Sequence, residues 1–162
     1  MDATDETEVA RYVDRIAEDG PIDAAFNAIG VHVSKGGWAR PSSTVTEDLF
    51  RPSFEVIVWS QFLTARTAAT HMSVTAGSAI LLSASVSAYP TPCMATIAAA
   101  SGAVEALTRN LAAEYRSSGI RVNCVRAGGM SETRMIQETG AHYTAHVPTA
   151  ANRTAQPPKP PP

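Results

Sequence analysis

Apolar positions in this chain recur with two different spacings. In residues 5–19, Val9, Tyr12, Val13 and Ile16 return at helical spacing, which predicts an amphipathic helix. Thr4 or Asp5 can cap it, Asp5, Glu6 and Glu8 suit the positive end of its dipole, and Gly20-Pro21 ends it. Ile22–Ile29 is a short apolar run between Pro21 and Gly30 and reads as a buried strand. A loop rich in Gly, Ser and Pro follows, from Val31 to Thr44. Thr46 to Met72 reads as a long helix bent at Pro52, or restarting there, with Phe54, Val58, Phe62, Ala65, Ala69 and Met72 as its apolar stripe.

Ala79–Ala84 is a continuous apolar run, as expected of a strand covered on both faces. Met94–Ser117 reads as a helix with Ile97, Val104, Leu107, Leu111 and Tyr115 on one side and Gly119 as its C-terminal cap. Ile120–Val125 is the third strand. Strands and helices alternating in this way predict right-handed βαβ units and a parallel sheet. The fold class expected is therefore α/β, a partial Rossmann-like αβα sandwich of three layers with about three strands retained. Residues 1–140 form the expected domain. Residues 141–162 shift to Pro, Ala, Thr and Gln and are expected to be a disordered tail.

Composition narrows the function classes. A hydrophobic content of 44% and a charged content of 17% suit a globular domain, and 162 residues suffice for a core. A net charge of −2, with arginines scattered, gives no electrostatic case for nucleic acid or an anionic membrane. Cys93 and Cys124 lack CxxC spacing, and the histidines are spread out, so no metal site is expected. No run is long enough to cross a bilayer, and the acidic Asp2-Ala3-Thr4-Asp5-Glu6 is a poor start for a signal peptide. A reduced cytoplasmic setting is the expectation.

Several ordered segments carry a family resemblance. Asn27-Ala28-Ile29-Gly30 ends the first strand, Gly77 to Ser85 forms the second, and Ile97-Ala98-Ala99-Ala100-Ser101 opens the following helix. Arg121-Val122-Asn123 and Ala127-Gly128 come after it. In this order and spacing, over about residues 2–135, the chain resembles the short-chain dehydrogenases/reductases. The resemblance implies an NAD(P)-dependent oxidoreductase that moves hydride between a hydroxyl or carbonyl carbon and a nicotinamide. It places the catalytic Ser at Ser85, the catalytic Asn at Ile57, and the Tyr and Lys of Tyr-x-x-x-Lys at Ile97 and Ser101. It gives Asp2, Asn27, Gly30 and Gly128 to the cofactor side, with Asp2 as the adenine contact. Members begin with a strand and a Gly-rich turn opening a helix, which brings a helix N-terminus to the pyrophosphate; no G-x-x-x-G-x-G occurs here.

The chemistry needs a Tyr whose proton is made available by a neighbouring Lys. Ile97 has no proton to give, Ser101 carries no charge, and Ile57 cannot hold a water. Ser85 is a remnant of the four. Tyr89 and Lys35 form a conceivable substitute pair. The expectation is a chain that is inactive as it stands, with doubtful binding of NAD or NADP. The alternative is a non-catalytic dimerisation module built on helices 52–72 and 94–117, supported by Trp59, Phe62 and the small residues Ala98 to Ala103. The open edges of Ile22–Ile29 and Ile120–Val125 also predict a tendency to aggregate.

Overall fold

In the computed structural model, residues 1–32, 34–72, 77–84, 88 and 90–128 are described. Helix α1 spans Glu6–Ala17. Of its two capping candidates Asp5 is the one used: its carboxylate accepts from the Glu8 N–H at 2.9 Å. Only half of the expected stripe is covered, because Val9 and Val13 are buried while Tyr12 and Ile16 stay exposed.

Strand β1 is shorter than the apolar run predicts. It spans Ala24–Phe26, and Ile22 makes only an isolated parallel bridge to Met72. Asn27 ends the strand. Its side-chain Oδ1 accepts from the Ile29 N–H at 2.9 Å, turning the chain away from the sheet.

The long helix also departs from a simple 3.6-residue repeat. It begins as α2, Glu47–Ser53, with Pro52 inside it rather than at a fresh start. Pro52 has no N–H to return to the preceding turn. The chain then passes through a π turn, Phe54–Trp59, before resuming as α3, Ser60–Ala69. A π turn inserts one extra residue, and one residue is about 100° of helix rotation. The buried side therefore falls on Ser53, Ile57, Ser60, Gln61, Leu63, Ala65 and Ala68. Phe54, Val58, Phe62 and Ala69 of the expected stripe are only partly buried.

Strand β2 spans Ser78–Ala84, helix α4 Ala95–Glu114 and strand β3 Arg121–Ala127. A 3-10 turn, Tyr115–Ser118, and a left-handed Gly119 at φ 72° close α4 as its sequence predicts. The sheet order is β1-β2-β3, all parallel, with Ala25 opposite Ala79 and Ala79 opposite Val122. The fold class stands: a parallel three-stranded sheet with helices, part of an αβα sandwich.

Strand order sets which face is covered. Two right-handed crossovers in the same direction place both connections on one side of a sheet. Ala25, Ala79, Leu81, Val122 and Cys124, alternating positions of the three strands, join one apolar cluster with Ile57, Ala65, Ala68, Ile97, Ala100 and Val104. The alternate positions include Phe26, 57% exposed, and Val125, 50% exposed. The described helices thus supply one of the two outer layers. Val9, Val13 and Leu63 make a second small cluster that fastens α1 to α3.

Candidate active site

The residues that resemblance assigns to catalysis come from α4 and the π turn. Ile97 lies in the first turn of α4, and Ser101 one turn later on the same side. Ile57 lies mid-way along the π turn. All three point inward. Ile97 and Ser101 are each 1% exposed and Ile57 is buried. Ile57 and Ile97 belong to a single apolar cluster with Met94, Ala100 and Val104. The structure therefore brings three of the four expected catalytic positions to one face and fills two of them with packed branched aliphatic side chains. Ser85, the fourth, and Tyr89 fall outside the described residues. Lys35 is exposed in the loop after β1.

The cofactor-side residues are held in a different way. Asn27 is buried, and its amide donates to the Ser60 carbonyl at 3.1 Å and to Thr64 Oγ1 at 2.9 Å. With Oδ1 taken by Ile29, the whole side chain is used in joining β1 to α3. Ser60 and Thr64, one turn apart, were not singled out by the sequence; their i,i+4 spacing opposite a strand-end Asn is the signal that would have found them.

Asp2 Oδ1 accepts from both the backbone N–H and the hydroxyl of Thr4, at 2.9 and 2.8 Å. The Thr4 N–H, then the Thr4 hydroxyl, holds this carboxyl below the usual carboxylate range. Gly30 has open space around it, and Gly128 follows β3, partly buried. Asp5 caps α1, and the side chain of Asn27 is hydrogen-bonded within the chain. Among the described residues, no group of three or more metal-ligating side chains occurs, and no helix is long and apolar enough to cross a membrane.

Beside these positions, the loop after β1 is pinned to both helices. Thr96 and Ser53 donate their hydroxyls to the Gly36 carbonyl. A Cβ on Gly36 would lie 2.7 Å from Val31 Cγ1, so only glycine fits there without rearrangement.

A family model described as enoyl-(acyl carrier protein) reductase matches residues 1–157. This chain belongs to the short-chain dehydrogenase/reductase family. The cis-4-hydroxycyclohexanecarboxylate dehydrogenase of Sinomonas cyclohexanicum is 33% identical to it over 139 residues, 83% of this chain and 53% of the relative. A Xanthobacter autotrophicus protein named inactive 2-(S)-hydroxypropyl-CoM dehydrogenase 2 is 35% identical over 136 residues, 83% of this chain and 57% of that protein. Among solved structures, a short-chain dehydrogenase from Burkholderia cenocepacia J2315 in complex with NADP superposes with a TM-score of 0.76 at 28% identity, covering 89% of this chain and 57% of that one. The chain spans about half the length of the relatives it matches.

Proposed function

We propose that this chain is a catalytically silent member of the family, built on the frame of an NAD(P)-dependent oxidoreductase. The observation that carries this reading is the burial of Ile57 and Ile97 in one apolar cluster, with Ser101 buried one turn beyond. A proton donor has to reach the substrate oxygen, and a packed isoleucine neither reaches it nor holds a proton. Losing such assistance costs about 10²–10⁴-fold in rate. The relative from Xanthobacter autotrophicus that is named inactive gives the reading a counterpart within the family.

The test is a titration of the full chain with NADH and with NADPH, followed by oxidation of the reduced nicotinamide in the presence of carbonyl substrates. Silence predicts neither micromolar binding nor turnover. Turnover above the protein-free rate overturns the reading.

A second reading, a helix-paired homodimer, draws on the outer side of α4. Ala95 and Ala99 are exposed there, and a Cβ on Gly102 would meet nothing within 4 Å. Trp59 and Phe62 give it less support than their sequence suggests. The Trp59 indole donates to the Thr4 carbonyl at 3.0 Å, and Phe62 lies under the Arg66 guanidinium, which pairs with Glu6. Both aromatic rings are thus engaged in holding α1 and its N-terminal approach. Sedimentation of Gly102→Leu against the unmodified chain tests the pairing: loss of a dimer supports it, and a monomer in both removes it.

A further inference from the structure

Helix α1 is held to the rest of the chain by contacts of its own. Val9 and Val13 pack on Leu63 of α3 in a small cluster apart from the main core, and Ile22 packs against both. The other half of the apolar stripe, Tyr12 and Ile16, stays exposed. Polar contacts reach across from α3 and its ends. The Trp59 indole donates to the Thr4 carbonyl at 3.0 Å, Arg66 pairs with Glu6 at 2.6 Å, and His71 Nε2 lies 2.9 Å from Asp14 Oδ1. These contacts lie at the surface, where an ion pair adds little stability and salt screens it.

The segment leaving α1 can bend. Gly20 sits at φ +136°, a conformation that side chains rarely adopt, and a Cβ on it would meet nothing within 4 Å. Two residues later the chain is anchored. The Ile22 N–H donates to the His71 carbonyl at 2.9 Å, and Ile22 bridges to Met72. Gly20 therefore separates a loosely fastened helix from a fixed strand entry.

We propose that α1 is a flap on a glycine hinge: it detaches from α3 as one unit, β1, α3 and α4 stay in place, and salt favours the open form. A helix of 12 residues is marginal in water on its own. Helix α1 therefore melts as it leaves, and its amides meet solvent together. Opening bares Leu63, 0% exposed when the flap is closed. It also widens the apolar groove of about 290 Å³ that Val9, Val13 and Ile22 share with Phe26 and Ile29. The Asn27 joint stays shut, because its partners Ser60, Thr64 and Ile29 lie outside α1.

Native-state hydrogen exchange of the full chain, in low urea and at low and high salt, tests the flap. The result expected is one shared opening for the amides from Val9 to Ile16, with a shallower urea dependence than the opening of α4. High salt screens the Arg66–Glu6 pair, raising the α1 opening constant about two- to fivefold and leaving α4 unchanged. Glu6→Gln, at an exposed position, does the same at low salt. Gly20→Ala strains the closed form and raises opening by about tenfold. Leu63→Ala removes the side chain on which Val9 and Val13 rest and raises it by at least about tenfold. A single common opening for α1 and α4 overturns the proposal. So do openings graded residue by residue along α1, the mark of fraying, and an α1 opening that none of the three substitutions moves.

Discussion

Two buried clusters on the same side of the sheet are held in opposite ways. Around Asn27 the site is polar and complete: the amide bridges β1 to Ser60 and Thr64, and its oxygen holds the Ile29 N–H. Around Ile97 the site is apolar: Ile57 and Ile97 pack with Met94, Ala100 and Val104. Both lie where the family resemblance places polar chemistry. The difference is in what each polar group was for. Asn27 has all its partners inside this chain, so its burial is offset by hydrogen bonds. A Tyr or Lys at the second cluster needs partners from substrate, cofactor or solvent. Without them, an isoleucine stabilises the same position by excluding water.

The largest effect expected is from Ser101→Lys, which puts an ammonium into a position only 1% exposed. The cost is several kcal/mol. The buried amine holds its proton less firmly than it does in the unfolded chain, so the unfolded state binds more protons and stability rises with pH toward the ordinary lysine range. Urea midpoints across a pH series check both size and sign. A midpoint equal to the unmodified chain at neutral pH breaks the comparison, because it makes position 101 open to water.

Next is Asn27→Ala. It leaves the Ile29 N–H without its side-chain acceptor, removes the amide that donates to the Ser60 carbonyl and Thr64 Oγ1, and costs about 1–3 kcal/mol. Denaturant unfolding with an unchanged slope measures it. A neutral result would mean that the polar cluster is ornament and not a joint between β1 and α3. The smallest effect concerns Tyr115, whose phenol is pushed above its ordinary value by burial, with the Glu114 carboxylate adding to the shift. The folded state keeps this proton longer than the unfolded one, so this part of the stability falls as pH rises above about 10. Tyr115→Phe should remove that slope from the alkaline limb of the unfolding profile.

Much of this was legible in the residues. The three parallel strands and the helices between them follow from apolar runs punctuated by Gly and Pro, and Gly119 closes α4 as its type predicts. The inner side of α2 and α3 was not legible. A π turn leaves no mark in a 3.6-residue pattern, and it moved the buried side from Phe54, Val58 and Phe62 to Ile57, Ser60, Gln61 and Leu63. The length of β1 is hidden for a related reason. Hydrophobicity continues to Ile29, but the strand ends where Asn27 turns its side chain to the backbone. At the site, positions 57, 97 and 101 are assigned by the family resemblance. That they share one buried face could not be read from the sequence, because it depends on how α4 meets the π turn. The contacts of Trp59 with Thr4 and of Phe62 with Arg66 have no sign in the sequence.

Ile97→Tyr tests the replacement most directly. Position 97 as packed core predicts that the larger ring strains its neighbours, lowering the urea midpoint by about 1–3 kcal/mol equivalent at an unchanged slope. A midpoint equal to or above that of the unmodified chain, with the new phenol titrating near its ordinary value of about 10, would show an open cleft at position 97 and contradict it.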